Sequence, residues 1–343
     1  MTDAPASFDP AASSDRGCCE KPERRSSAWR VVTAVFLALS VATNIVLVVI
    51  VLGLAAALVG GMEENSYVEK VVQKGPATVK IAIIRMEGII DQDLVESVGR
   101  QIRQAADDPD VKAVILRIDS PGGGLSESDM LHHEIKSQLA AAGKPVVAAM
   151  DGLAASGGYY VACAADTIVA QQTTITGSIG IIAHFFFLNT LMTDKLGITP
   201  VTLKMGEQKD WPNLFAAEMT PEQSDYLMNT LLKPGYDRFV DVVAAARKMD
   251  RQQVLRLATG RVFMAEEAKQ NGLVDEIGYL DRAIEIAKMR AGAKEARVVE
   301  YAKPFSLTDL LGVSSDAKAL LSLNAEKLAA LASPKVMYLW TGF

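Results

Sequence analysis

Apolar residues form one long run near the N-terminus, and no charged residue interrupts it between Val31 and Met62. About 20 apolar residues span a bilayer, and this run lacks the polar face that an amphipathic helix of a soluble protein needs. Five lysines and arginines precede the run, whereas Glu63 and Glu64 follow it. The positive-inside rule therefore predicts a transmembrane anchor, with residues 1–30 in the cytoplasm and the rest of the chain on the far side.

A cleaved signal peptide is the alternative interpretation of this run. The small residues Ala55, Ala56 and Ala57 could support cleavage. However, the run is longer than the roughly 7–15 residues of a signal-peptide core. We therefore expect a retained anchor over residues 31–60, and in either case the bulk of the chain is exported.

Beyond the run, short apolar segments alternate with segments of helical periodicity. The β-branched stretches at 79–85 and 111–118 predict buried strands, and a third strand is expected at 144–150. Apolar residues recur at helical spacing over 92–106, and another helix is expected near 125–141. Strands that alternate with helices predict an α/β fold with right-handed crossovers.

The second half of the chain is more helical. Thr220 and Gln223 form a capping-box pattern with Pro221 at the first helical position. This pattern predicts a helix that runs towards Arg247, with a break at Pro234. Two further helices are expected, at residues 265–270 and 280–292.

Composition and charge exclude several classes of function. The chain has 35 Lys and Arg against 41 Asp and Glu, and this weak acidity argues against a nucleic-acid partner. The three cysteines, Cys18, Cys19 and Cys163, form neither a disulfide framework nor a CxxC pair, and the histidines lack metal-ligand spacing. The usual nucleotide and zinc motifs are missing. We therefore predict neither a metal nor a cofactor.

Two glycine-rich turns, SPGGG at 120–124 and ASGGYY at 155–160, each follow a predicted buried strand. The carboxyl ends of strands are where α/β sheets place their sites. Ser156 lies in the second turn, where backbone N–H groups are free at the start of a helix, and Gly122-Gly123 offers others. Converging N–H groups could form an oxyanion hole for a serine nucleophile. The ordinary alternatives are a plain turn for SPGGG and a helix cap for Ser156.

A nucleophilic serine needs a general base, and the residues alone leave two candidates open. His184 precedes three phenylalanines, a setting that also suits a buried or interface histidine. Lys209 would have to lose its charge, at a cost of roughly 1.4 kcal/mol for each pKa unit below about 10.4. Its neighbours Glu207 and Asp210 would oppose that loss if they contacted the lysine.

Four segments together resemble signal peptide peptidase A, a serine protease family of the ClpP/crotonase superfamily. They read RIDSPGGG at 117–124, DGLAASGGYYVACAADTIVA at 151–170, TITGSIGII at 174–182 and GRVFMAEEAKQNGLVDEIG at 260–278. The resemblance covers roughly residues 78–292 and is to the short form of the family. It implies an α/β fold of the ClpP/crotonase type, with repeated ββα units, preceded here by one N-terminal transmembrane helix.

The resemblance also implies roles for individual residues. Ser156 would be the catalytic nucleophile and Lys209 the general base. Ser178 would orient the lysine, and the N–H groups of Gly123 and Gly157 would form the oxyanion hole. No metal or cofactor would take part.

Lys204 is the fallback base, because the residues that flank Lys209 depart from the commonest family pattern. In the short forms of the family, the serine and the lysine come from adjacent subunits of a ring-like homo-oligomer. The implied substrates are cleaved signal peptides and other unfolded apolar peptides outside the cytoplasm. The implied partners are thus peptides, the membrane and further copies of the chain.

The predicted organisation has five parts: a disordered cytoplasmic tail, an anchor, a linker, a protease domain and a C-terminal extension. They lie at residues 1–30, 31–60, 61–77, 78–292 and 293–343. Three other interpretations stay open. These are an acyl-CoA hydratase or isomerase of the crotonase type, a non-catalytic membrane scaffold of the same fold, and a ClpP-like protease that uses His184 as its base.

Overall fold

The structure is a computed structural model, and it describes residues 27–63, 67–303 and 336–341. The chain divides into two compact units, Met1–Met62 and Glu63–Phe343. Cys18 and Cys19, together with most of the predicted cytoplasmic tail, lie outside the described residues.

The first unit is dominated by one long helix, α1 (Ser27–Glu63). Its segment Trp29–Gly53 has 25 residues and a mean hydropathy of 2.8, and its side chains are not buried against other parts of the chain. By length and composition this helix is able to cross a membrane. The structure thus confirms the predicted N-terminal apolar helix.

The second unit is built on β-sheets whose strands all come from the described residues. In chain order they are β1 (Val68–Gln73), β2 (Lys80–Glu87), β3 (Val111–Ser120), β4 (Gly122–Gly124), β5 (Val146–Ala155), β6 (Thr167–Ala170), β7 (Ile175–Gly177), β8 (Ile182–Ala183), β9 (Val262–Met264), β10 (Glu276–Ile277), β11 (Arg297–Ala302) and β12 (Val336–Leu339). In the main sheet, β11, β2, β3, β5, β6 and β10 pair in that order and in parallel, and β1 pairs antiparallel with β11. A small sheet has the order β4-β12-β8.

Helices connect the strands and cover the main sheet. In chain order they are α2 (Gln92–Asp107), α3 (Leu125–Glu134), α4 (Gly157–Ala162), α5 (Pro221–Leu227), α6 (Lys233–Arg247), α7 (Arg251–Leu257), α8 (Ala265–Gln270) and α9 (Leu280–Arg290). π-helical turns at Ile135–Leu139 and Met228–Leu232 extend α3 and join α5 to α6. A third π-helical turn lies at Leu191–Lys195.

Both faces of the main sheet are buried, because successive residues of each strand point to opposite sides. On β2, Ile81 and Ile83 belong to one apolar core, whereas Ala82 and Ile84 belong to the other. Helix α9 covers the first face, and α2, α3, α4 and α6 contribute to the core on the second face. Parallel strands buried on both sides confirm the predicted α/β fold.

Most predicted elements are present, with differences at their ends. The capping box at Thr220 is formed, with its side chain and that of Gln223 bonded reciprocally to backbone N–H groups. The helix predicted up to residue 141 ends at Glu134 and continues as a π-helical turn. The predicted break near Pro234 lies just before it, at Met228–Leu232, because proline is tolerated in the first turn of α6.

Two segments that were not expected to carry strands do so. Residues 61–77, expected to form a linker, contain β1. The expected C-terminal extension, residues 293–343, supplies β11 to the main sheet and β12 to the small sheet. Residues 304–335 of that extension lie outside the described residues.

Candidate active site

The two glycine-rich turns lie side by side at the carboxyl ends of neighbouring strands. β3 and β5 pair in parallel, and Ser120 at the end of β3 is opposite Ala154 near the end of β5. The first turn is held by backbone hydrogen bonds: the N–H of Gly124 donates to Ile90 O, and the N–H of Ile90 donates to Gly122 O, each at 2.9 Å. The Ser120 hydroxyl also accepts from the N–H of Gly122 at 3.1 Å. This network fixes the glycine strand β4 against the segment at Ile90 and the end of β3.

Ser156 adopts a backbone conformation that is unusual for a residue with a side chain. Its φ is 52° and its ψ is -115°. It is only 1% exposed, and its N–H donates to Gly177 O at 2.8 Å. It precedes α4 as the N-cap residue, yet its hydroxyl makes no capping hydrogen bond. The geometry therefore does not support the ordinary alternative, in which Ser156 is a plain helix cap.

The N–H groups of the two turns approach one another closely because both turns lack side chains. A Cβ atom added to Gly122 would lie 2.7 Å from the Gly157 nitrogen, and one added to Gly157 would lie 3.1 Å from the Gly123 nitrogen. Gly157 is the first residue of α4, where N–H groups have no partner within the helix. The arrangement can therefore donate two backbone N–H groups to one oxygen atom.

Ser178 lies in a third turn that is linked to Ser156. Strand β7 pairs with the end of β5, so that Gly177 is opposite Ala155. Ser178 has a φ of 50° and is buried, and its N–H donates to Arg261 O at 2.8 Å. The chain therefore brings Ser156, Ser178 and the two oxyanion candidates to one end of the sheet.

Lys209 is exposed, and its amine makes no hydrogen bond or ion pair with any residue that the structure describes. The fallback lysine is engaged instead: Lys204 Nζ contacts Asp210 Oδ1 at 2.6 Å and the Glu207 carbonyl oxygen at 2.8 Å. The hydrogen bond from Lys204 lowers the pKa of Asp210. Asp210 and Glu207 thus contact Lys204 rather than Lys209. His184 is exposed.

Sequence reasoning missed polar and aromatic residues that support the turns. Ser128 is buried, donates to Gly124 O at 2.8 Å, and lies 2.5 Å from where a Cβ of Gly157 would be. Tyr160, the last residue of ASGGYY, is buried and donates a hydrogen bond to Asp129. The repeated tyrosines of that motif were the available signal, but their partners are distant in sequence: Tyr160 donates to Asp129, 31 residues earlier, and Tyr159 donates to Leu273 O, 114 residues later.

Two observations concern metal-ligating and thiol groups. Within the described ranges, no group of His, Cys, Asp and Glu side chains is arranged to hold a metal ion. Cys163, the residue that follows α4, is buried, and burial raises the pKa of its thiol to about 12. A thiol with that pKa stays protonated at neutral pH and is a poor nucleophile.

A family model and several relatives of this chain name the same kind of protease. The family model described as Peptidase family S49 matches residues 138–294. A putative signal peptide peptidase SppA from Enterococcus faecium is 32% identical over 303 residues, which cover 81% of this chain and 86% of that protein. Protease 4 of Haemophilus influenzae is 38% identical over 64% of this chain, and the chloroplastic serine protease SPPA of Arabidopsis thaliana is 37% identical over 69% of it.

The last two relatives are longer proteins, and the alignments cover 36% and 37% of their lengths. Among solved structures, ClpP1 from Listeria monocytogenes aligns with 57% of this chain and 91% of its own. The TM-score is 0.36 and the sequence identity 19%, a weak overall likeness.

Proposed function

This chain belongs to peptidase family S49 as an SppA-type serine protease, and we propose that it is a membrane-anchored endopeptidase in which Ser156 is the nucleophile and Lys209 the general base. Its proposed substrates are cleaved signal peptides and other unfolded apolar peptides outside the cytoplasm. The signal peptides in this class follow the printed name of the Enterococcus faecium relative, whereas the other apolar peptides are our extension of it.

One observation carries the assignment of the nucleophile. Ser156 is held at a positive φ, does not cap the helix that follows it, and lies in the same turn as Gly157, which approaches Gly123. Backbone conformations of this kind cost about 1–3 kcal/mol and persist where the surrounding structure enforces them, often at active sites. The strain, the unused hydroxyl and the paired N–H groups together support a serine that attacks a carbonyl carbon.

The proposed chemistry needs only groups of the chain and water. Neutral Lys209 accepts the proton of the Ser156 hydroxyl as Oγ attacks the carbonyl carbon of a peptide bond. The N–H groups of Gly123 and Gly157 stabilise the oxyanion, a contribution of roughly 3–4 kcal/mol for a typical single donor. The C–N bond breaks and the leaving nitrogen takes the proton from the lysine. A water molecule, activated by Lys209, then hydrolyses the acyl-enzyme. Ser178 would orient the lysine amine.

We further propose that Lys209 acts on the serine of a neighbouring subunit. Within the described part of one chain its amine has no partner, and the segment before it exposes large apolar side chains: Leu203 is 93% exposed and Met205 97%. Exposed apolar residues of this kind are typical of interaction surfaces. Burial of the segment against a second copy would also desolvate Lys209, which is what lowers the pKa of a lysine. This supports a homo-oligomer whose active sites lie between subunits.

The anchor proposal rests on α1. The apolar segment Trp29–Gly53 is long enough to span a bilayer, and the basic residues before it favour a cytoplasmic N-terminus. Helix α1 would then hold the protease unit at the far surface of the membrane.

The experiment is peptide hydrolysis by the full-length protein in detergent. Ser156→Ala is expected to lower kcat by about 10⁴-fold or more, because the nucleophile and its base act as a unit. Lys209→Ala is expected to cause a similar loss. The matched controls are Ser137→Ala and Lys204→Ala, since Ser137 is an exposed serine away from the turns and Lys204 is the alternative base.

Each other outcome selects a different interpretation. If Ser156→Ala is inactive while Lys209→Ala retains activity, the base is misassigned, and Lys204→Ala and His184→Ala then identify it. If the wild-type oligomer hydrolyses no peptide and an acylating probe does not label Ser156, the non-catalytic scaffold replaces the protease.

A further inference from the structure

The two glycine-rich turns meet beside a buried serine, Ser128 of α3. Ser128 is 0% exposed, and its hydroxyl donates to the carbonyl oxygen of Gly124 at 2.8 Å. The same hydroxyl oxygen lies 2.5 Å from the point that a Cβ of Gly157 would occupy. One side chain therefore bonds to the first turn and packs against the second.

The two ends of the glycine strand β4 are held by different groups. At its first residue, the N–H of Gly122 donates to the Ser120 hydroxyl at 3.1 Å, and the carbonyl oxygen of Gly122 accepts from the N–H of Ile90 at 2.9 Å. Its last residue, Gly124, precedes α3 as the N-cap residue but has no side chain with which to cap that helix. The hydroxyl of Ser128 is thus a side-chain group that fixes this end of the strand.

The position of Ser128 also affects the space between the two proposed oxyanion donors. The point that a Cβ of Gly157 would occupy lies 3.1 Å from the Gly123 nitrogen as well as 2.5 Å from the Ser128 hydroxyl oxygen. Donors of an oxyanion hole lie about 2.7–3.1 Å from the oxygen atom that they stabilise. A small shift of either turn would therefore lengthen one of the two hydrogen bonds to that oxygen.

The size of the side chain at position 128 matters because the glycines on either side have no side chains to keep the turns apart. Alanine would leave a void where the hydroxyl lies and would release the Gly124 carbonyl, and a protein interior relaxes only partly into such a void. Cysteine would place a larger atom at the same point and push Gly157 away. Serine fits the gap that the structure shows.

We propose that Ser128 is a positioning residue that sets the distance between the oxyanion N–H groups of Gly123 and Gly157. In this role Ser128 exchanges no proton and acts through the two turns alone. The inference rests on the proposed function, because an oxyanion forms only when Ser156 attacks a carbonyl carbon.

The first test compares the peptide kinetics of Ser128→Ala with those of the wild type, with the full-length protein in detergent. We expect kcat to fall by about tenfold and KM to stay within about twofold, because misplaced donors act mainly on the transition state. The matched control is Ser97→Ala on α2, where the serine shares a 2.8 Å hydrogen bond with the Tyr67 hydroxyl. This control should keep wild-type kcat, whereas wild-type kcat in folded Ser128→Ala would overturn the proposal.

The second test locates the loss at the oxyanion. A peptide ester and its thiono counterpart differ only in the carbonyl oxygen, which a sulfur atom replaces, and sulfur is a weak hydrogen-bond acceptor. The wild type should therefore prefer the oxygen ester, and the ratio of the two kcat/KM values should fall by about tenfold in Ser128→Ala. A structural role that only lowers the amount of active enzyme leaves this ratio unchanged, and that result would overturn the proposal.

Ser128→Cys provides a second variant, which keeps the proposal testable if Ser128→Ala does not fold. Because the larger thiol pushes the turns apart, both kcat and the oxygen-to-sulfur ratio should again fall below the wild-type values. Wild-type values of both in the folded cysteine variant would show that the gap does not depend on this side chain.

Labelling of Ser156 by an acylating probe separates this inference from the function on which it rests. If the wild type is labelled and cuts peptides, but the oxygen-to-sulfur ratio does not respond to changes at Ser128, the chain is a protease in which Ser128 only packs. An unlabelled and inactive wild type would overturn the proposed function and this inference with it.

Discussion

The backbone N–H of Ser156 donates a 2.8 Å hydrogen bond to the carbonyl oxygen of Gly177. This bond links the turn of the candidate nucleophile to the turn of Ser178, and both serines are held at positive φ, 52° and 50°. Neither conformation is favourable for a residue with a Cβ. The two turns therefore hold each other in place, and the site is preorganised before any substrate binds.

Glycine is usually less stabilising than alanine in a helix or strand, but strain at Ser156 predicts the reverse order at this position. Ser156→Gly is expected to be more stable than Ser156→Ala by about 1 kcal/mol, because glycine adopts this conformation without steric cost. Both variants should be inactive. Denaturant unfolding of the two measures the difference.

Ser137, in the π-helical turn Ile135–Leu139, provides the control. There Gly should be less stable than Ala by roughly 0.5–1 kcal/mol, as in ordinary helices. The same order at both positions would mean that Ser156 is not strained.

Local sequence patterns predict most helices and strands of this chain, but they do not predict which distant segments contact each other. The helices at 92–106 and 265–270 are found at Gln92–Asp107 and Ala265–Gln270, because apolar periodicity and capping residues act within a few turns. The pairing of Tyr338 with Gly123 joins residues more than 200 positions apart, and no local pattern indicates it. The turn motifs indicated Ser156 as a candidate, whereas the proposed role of Lys209 requires a second subunit, which the sequence and structure of one chain do not show.

Gly157→Ala keeps the backbone N–H, but its added Cβ is expected to obstruct the oxyanion hole and to lower kcat by about 10²–10³-fold, as much as the loss of one donor does. The added Cβ would lie 2.5 Å from the Ser128 hydroxyl and 3.1 Å from the Gly123 nitrogen, in the space where the substrate oxygen would bind. Steady-state kinetics with one peptide measures the effect.

Gly152→Ala is the matched control on β5. Its Cβ would meet only the Asp119 carboxylate, at 4.0 Å, so activity should stay close to wild type. Wild-type kcat in folded Gly157→Ala would exclude Gly157 from the oxyanion hole.

The ion pair between Arg247 and Asp275 is expected to stabilise the fold more than a surface pair does. The two side chains are in contact at 2.5 Å, with Arg247 largely buried, and the Asp275 carboxylate also accepts from the N–H of Ile168 at 2.7 Å. Burial alone would raise the pKa of Asp275, but these hydrogen bonds outweigh it and lower the pKa. Asp275→Asn is therefore expected to cost about 2 kcal/mol, measured by denaturant unfolding at pH 7.

Glu267→Gln removes the acid of an exposed pair with Arg261 and should cost at most about 0.5 kcal/mol. If Asp275→Asn and Glu267→Gln lowered the free energy of unfolding equally, the claim that the more buried ion pair stabilises the fold more would be wrong.

The lowered pKa of His132 predicts how the stability of the fold changes with pH. Burial lowers its pKa from 6.5 to about 4, with Lys136 adding to the effect and Asp129 opposing it. From other elements, Arg238 also lowers this pKa, and the ring of Tyr160 packs edge-on against the imidazole at 5.3 Å. Between pH 6.5 and 4 the unfolded chain binds a proton that the folded chain does not, so stability falls as the pH falls through this window.

His132→Gln removes this titration. The difference in unfolding free energy between wild type and variant is expected to shift by about 3 kcal/mol in favour of the variant as the pH falls from 7 to 4. A difference that does not change with pH would show that His132 titrates normally in the folded protein.

Subunit mixing tests most directly the claim that Ser156 of one copy works with Lys209 of another. Ser156→Ala and Lys209→Ala, each inactive alone, are unfolded, mixed in equal amounts and reassembled, with mixed oligomers verified by two affinity tags. If the residues meet across an interface, about a quarter of the sites combine an intact serine with an intact lysine, and activity should recover to about that fraction of wild type. Verified mixed oligomers with no recovered activity would contradict a site shared between subunits.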